Sequence, residues 1–123
     1  MEKPKILVVD DEKEICELTK NFLTRRNYLC FGAYTDKEAL ELVEREHPQL
    51  VLLDLRIGDV SGLEVLTKIK AYDSAIKVIM VTGLTDDESI QQAKALGADD
   101  YISKPFTSNF LYELLSRKLP VSP

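Results

Sequence analysis

Tryptophan is absent, and the 123 residues include one histidine and two cysteines. So few imidazole and thiol groups exclude a cysteine- or histidine-rich metal centre and a disulfide scaffold. Cys16 and Cys30 have neither metal nor redox spacing and read as small core residues in a reducing cytosol. His47 stands beside Pro48, where a helix must stop, and reads as a solvated helix end rather than a catalytic group. Positive charge is also short: 16 Lys and Arg face 21 Asp and Glu, for a net charge of −5. That balance argues against direct binding of nucleic acid or of a membrane surface. No apolar run approaches the roughly 20 residues of a membrane helix. Met1-Glu2-Lys3-Pro4 passes straight into an apolar run, so the expectation is no signal peptide and a cytoplasmic protein. Internal repeats and low-complexity segments are missing as well.

What is present is the composition of one globular domain, 45% hydrophobic and 30% charged. It is expected to span residues 1–123, with 120–123 a loose tail set off by Pro120 and Pro123. The organising stretch is Leu50 to Asp54, a continuous apolar run that ends on an acid. Such a run suits a central parallel strand, buried on both faces. Ile6-Leu7-Val8-Val9 has the same form and ends on Asp10-Asp11, and Val78-Ile79-Met80-Val81 ends on Thr82. Strands are therefore expected over 5–9, 29–34, 50–54, 77–82 and 100–103.

Helical spacing fills the gaps between them. Ile15, Leu18, Phe22 and Leu23 mark a helix over 13–26. Thr35-Asp36-Lys37-Glu38 is a capping box that opens a helix to about Glu46. A third helix covers 62–70, and a second capping box, Thr85-Asp86-Asp87-Glu88, opens a fourth. That helix has a thin apolar face of Ile90, Ala93 and Leu96, and Gly97 stops it. A fifth covers 108–118. Strand and helix alternate five times, and right-handed crossovers then give a doubly wound α/β fold with one five-stranded parallel sheet.

In such sheets the carboxyl ends of the strands build the site. Asp10, Asp11 and Asp54 would meet there, with Thr82 and Lys104. Two like charges 4 Å apart cost about 4 kcal/mol at an effective dielectric near 20. The cluster therefore takes up protons or holds a cation. All-oxygen donors select a hard ion, Mg²⁺ foremost. Acids, Mg²⁺, a lysine and a hydroxyl together suit an incoming phosphoryl group, and an aspartate can itself be the nucleophile.

Val8-Val9-Asp10-Asp11-Glu12, Leu53-Asp54-Leu55, Val81-Thr82-Gly83 and the run Gly97 to Phe106 resemble the receiver domain of two-component response regulators, over essentially the whole chain. The resemblance implies a flavodoxin-like (βα)5 fold with strand order 2-1-3-4-5. It implies a phosphoacceptor switch rather than an enzyme, in which Asp54 takes a phosphoryl group from a histidine kinase or phosphotransfer protein. Asp11, Asp54 and the backbone carbonyl of Arg56 would ligate Mg²⁺, with Asp10 acting through water. Lys104 would pair with the phosphoryl oxygens, Thr82 would be the switch hydroxyl, and Tyr101 the aromatic that turns inward. Pro105 would follow a cis peptide. The output is an effector protein, a covalently linked output domain, or a phosphorylation-dependent dimer, reached through the surface of helix four, strand five and helix five.

One departure stands beside the site. The family often has Met-Pro where this chain has Ile57-Gly58, and glycine is expected to loosen the loop that proline would stiffen. A small haloacid-dehalogenase-type phosphatase is the alternative. It wants a second acid two residues after the nucleophile, where Arg56 stands. A flavodoxin-like cofactor module wants a Gly- and Ser-rich phosphate loop after strand one, where Asp10-Asp11-Glu12 would repel it. On the last helix Leu111 and Leu115 form one apolar pair, and Phe110 and Leu114 a second. One pair suffices for docking on the sheet, so Phe110 and Leu114 are expected to face a partner.

Overall fold

A computed structural model describes residues 2–83 and 87–121. The chain runs β1 (Lys5–Val9), α1 (Lys13–Thr24), β2 (Leu29–Ala33), α2 (Asp36–Glu46) and β3 (Leu50–Asp54). A short hairpin follows, β4 (Arg56–Ile57) and β5 (Val60–Ser61), and then α3 (Gly62–Tyr72). The second half is β6 (Lys77–Thr82), α4 (Asp87–Ala95), β7 (Asp100–Ser103) and α5 (Ser108–Lys118). The main sheet is parallel throughout, in the order β2-β1-β3-β6-β7. With the hairpin left out of the count this is the expected order 2-1-3-4-5.

Alternation along the strands divides the core between the two sheet faces. Leu7, Val9, Val51, Leu53, Val78 and Met80 pack with side chains of α2 and α3. Ile6, Val8, Leu50, Leu52, Ile79 and Val81 pack with α1 and α5. Residues on both sides of these strands are buried, so an apolar residue is required at every position rather than every second one.

Helix ends follow local chemistry. Thr35 Oγ1 accepts the Glu38 amide at 3.1 Å, and Glu38 Oε1 accepts the Tyr34 amide at 2.9 Å, one residue before the cap. Thr107 caps α5 by accepting the Phe110 amide, and Ser61 caps α3 by accepting the Leu63 amide. The capping box at Thr85-Asp86 lies outside the described residues. Gly97 ends α4 with a Schellman pair, in which the Ala98 amide donates to Ala93 and the Gly97 amide to Lys94. His47 takes the left-handed conformation at the end of α2 and stacks on Tyr72, with ring centres 6.3 Å apart.

Three expectations need correction. In α1 the buried residues are Cys16 and Leu23, whereas Ile15 is 38% exposed and Leu18 70%. At 100° per residue Leu18 lies about 150° from the Cys16–Leu23 line, so it cannot share that face. Leu96 falls past the last residue of α4 and is exposed. In α5, Phe110 is exposed but Leu114 is buried with Leu111 and Leu115. Leu114 lies only about 60° around the helix from Leu111, within one docking face, while Phe110 lies about 100° away. Leu114 is therefore core and not a partner surface. Val121 packs partly against the α1–α5 core, and residues 122–123 of the expected tail lie outside the described residues.

Candidate functional site

Register carries the acids to one edge. β1 pairs Val9 with Leu53 of β3, so Asp10 follows directly beside Asp54. β3 pairs Asp54 with Val81, which places Thr82 one step beyond. β6 pairs Thr82 with Ser103, and Lys104 follows, its amide donating to the Thr82 carbonyl at 2.7 Å. Four strand ends thus deliver Asp10, Asp54, Thr82 and Lys104 to one edge through the pairing of the residues beside them.

The Lys104 ammonium donates to Asp54 Oδ2 at 3.0 Å and lies 3.4 Å from Asp10 Oδ2. Asp10 is buried, and its other oxygen accepts the Glu12 amide at 2.9 Å, which turns the chain into α1. Asp11 is exposed and accepts the Gly58 amide at 3.0 Å. Burial raises the Asp54 carboxyl above its ordinary value; Lys104 pulls it down, and Asp10 and Asp11 push it up. Burial opposes the charge on Lys104, but the hydrogen bond and attraction of Asp54, with the charge of Asp10, outweigh it and raise its pKa. Both directions describe one lysine serving an excess of carboxylate.

Oxygens of Asp10, Asp11 and Asp54 lie within 4.8 Å of one another. Opposite ligands of octahedral Mg²⁺ stand about 4.2 Å apart. Oxygens this close can share one such ion, directly or through water. They offer hard oxygen donors only, with more negative charge than Lys104 balances, so the donor set fits Mg²⁺.

The remaining candidates sit around this group. Thr82 is 2% exposed at the end of β6. The Lys104–Pro105 peptide is cis. Tyr101 on β7 is not among the acids; it is 41% exposed, with the Lys94 ammonium 5.7 Å from its ring centre. Phe110 stands apart on α5. Cys16 is no nucleophile, since burial pushes its thiol up to about 11 and it donates to the Val8 carbonyl.

The segment after Asp54 is where sequence reasoning fell short. Instead of a loosened loop, Arg56 pairs with Ser61 and Ile57 with Val60 around a Gly58-Asp59 turn. Gly58 has φ +60°, as the first central residue of a type II′ turn requires. The signal was present in Ile57-Gly58-Asp59-Val60, a two-residue hairpin turn between apolar residues. Gly62 then passes so close to the acid that an added Cβ would lie 2.2 Å from the Asp54 carbonyl oxygen. Its amide donates to the Leu55 carbonyl at 2.6 Å, which clamps the start of α3 onto the end of β3.

Residues 6–116 match the family model described as the response regulator receiver domain. The chain belongs to the response regulator receiver family. Among curated relatives, this receiver is 36% identical to sporulation initiation phosphotransferase F of Bacillus subtilis, over 98% of both chains. It is 41% identical to regulatory protein VanR of Enterococcus faecium, over 83% of this chain but 44% of that protein. Among solved structures it resembles a CheY-like receiver domain protein from Methanospirillum hungatei with TM-score 0.91 and 36% identity, over 95% of this chain and 94% of that one. The receiver therefore spans nearly all of one relative and less than half of another. Receivers are phosphoacceptor switches of two-component phosphorelays, and nothing in the fold or the relatives supports the phosphatase alternative.

Proposed function

We propose that this receiver accepts a phosphoryl group on Asp54 from the phosphohistidine of a histidine kinase or phosphotransfer protein. The observation that carries the proposal is the Lys104–Asp54 contact of 3.0 Å at the centre of a three-carboxylate cluster. An Asp54 oxygen attacks phosphorus; the O–P bond forms as the P–N bond breaks, and the bonding pair returns to the imidazole nitrogen. Lys104 then has its ammonium within reach of the new phosphoryl oxygens. Asp10, Asp11, Asp54 and the Arg56 carbonyl would hold Mg²⁺, which neutralises charge on the acids and on the phosphoryl group. Asp10 would serve through water rather than directly, as the resemblance implies.

The switch is read by Thr82 and Tyr101. The Thr82 hydroxyl turns to the phosphoryl oxygen, and Tyr101 leaves its half-exposed place for the interior. Phe110 and Tyr101 are exposed aromatics, the kind of residue that anchors a regulated contact, whether with an effector, a linked output domain or a second copy. The phosphorelay proceeds in the cytoplasm, and the chain acts as a phosphoacceptor switch that catalyses its own phosphorylation and dephosphorylation. No helix among the described residues is long and apolar enough to cross a membrane.

Incubation with acetyl phosphate and Mg²⁺ tests the assignment. The wild-type chain should gain one phosphoryl group in intact mass, and Asp54→Asn should gain none. Full labelling of Asp54→Asn would falsify Asp54 as the acceptor.

A further inference from the structure

Asp11 lies on the exposed side of the acid cluster, just past the end of β1, where nothing in its own strand fixes its carboxylate. What holds it comes from 47 residues away: the Gly58 amide donates to Asp11 Oδ2 at 3.0 Å. An ionised carboxylate offers about four acceptor sites. The amide takes one and leaves the rest for a cation.

Gly58 is held in turn. The hairpin it caps is fixed at its base, where Ser61 caps α3 and the Gly62 amide bonds to Leu55. At its tip Asp11 is the partner of the Gly58 amide. The proline common in the family at this place has no N–H to donate and cannot adopt φ +60°. This chain therefore replaces the stiffness of a ring by a hydrogen bond to one of the acids.

We infer that the Gly58 backbone amide is a positioning group for cation binding: it aims the Asp11 carboxylate and couples the order of the 56–61 hairpin to metal occupancy. The inference rests on the proposed Mg²⁺ role of Asp11. Hydrogen bonds to ligating carboxylates orient them, and their loss typically weakens metal binding about 10- to 100-fold.

The test is a Mg²⁺ titration of the full chain followed by amide NMR. Three proteins are compared: wild type, Gly58→Ala, and a semisynthetic chain in which the Gly58 N–H is replaced by an ester oxygen. The ester should weaken Mg²⁺ affinity by about tenfold or more. Gly58→Ala keeps the N–H and should lose less, despite its strained φ. Hydrogen exchange at the wild-type Gly58 amide should be slower in Mg²⁺ than in EDTA, and this holds as a test even if the ester chain does not fold. An ester chain that binds Mg²⁺ within about threefold of wild type overturns the inference. So does an equal loss in Gly58→Ala, or unchanged exchange at Gly58. Each of these leaves the Mg²⁺ reading standing, whereas a wild-type chain that binds no Mg²⁺ overturns both.

Discussion

Lys104 and Asp54 stand 50 positions apart in sequence and share a hydrogen bond of 3.0 Å across the carboxyl edge of the sheet. Asp10 competes for the same ammonium at 3.4 Å. One cation thus serves two carboxylates, with a third acid close by, and the site is under electrostatic tension that a phosphoryl group or a divalent ion changes.

That tension has a pH signature. The folded state raises the Asp54 pKa, mainly by burial, so Asp54 contributes stability below the ordinary carboxylate range and loses it as pH rises through the raised value. At neutral pH without metal, ionised Asp54 weighs against folding. Asp54→Asn should therefore melt higher than wild type at pH 7 in EDTA. The gap should close as pH falls through the Asp54 pKa. Equal melting temperatures at pH 7 would remove the argument.

Mg²⁺ should act in the same direction by relieving repulsion among Asp10, Asp11 and Asp54. A ligand at 100 times its dissociation constant adds about 2.7 kcal/mol to the folded state. Calorimetry should show wild type melting higher in saturating Mg²⁺ than in EDTA, and Asp11→Ala should lose most of that rise. A melt indifferent to Mg²⁺ would contradict the donor-set argument.

Thr82 should separate phosphorylation from its consequence. A hydrogen bond to a charged group is worth about 1.5–3 kcal/mol, roughly 10- to 150-fold in a switch equilibrium. Thr82→Ala should still be labelled by acetyl phosphate, while the phosphorylated form shows a weakened response at Tyr101 by NMR. An unchanged Tyr101 response would reduce Thr82 to a strand-end residue.

On α5, adjacent turns should give opposite results. Leu114 is 7% exposed and Phe110 is 51% exposed. Leu114→Ala should cost about 2–5 kcal/mol in urea unfolding. Phe110→Ala should cost about 0.5 kcal/mol or less, while weakening association of the phosphorylated form by about thirtyfold, as loss of an aromatic anchor does. A large stability loss in Phe110→Ala, with no separate effect on association, would place the partner surface elsewhere.

Much of this was legible in the chain. The three central strands announce themselves by unbroken apolar runs because both faces of this sheet are covered, and each run ends on a residue of the site: Asp10, Asp54 or Thr82. Helix faces were harder to read. In α1, Ile15 and Leu18 are as apolar as the Cys16–Leu23 line that packs inward, and only the docking angle on the sheet distinguishes them. In α5 the width of the buried arc decided that Leu114 goes inside while Phe110 stays out.

The sequence by itself determined the order of the elements, the parallel sheet and the acids and lysine at its edge, because these rest on periodicity and on residues next to each other in the chain. Tertiary structure alone decided which oxygen Lys104 holds, how Gly62 clamps the end of β3, and that the Gly58 amide reaches Asp11. The Gly62 and Gly58 contacts run through backbone groups, the second across 47 positions, and a backbone N–H carries no mark in the sequence of the partner it will find.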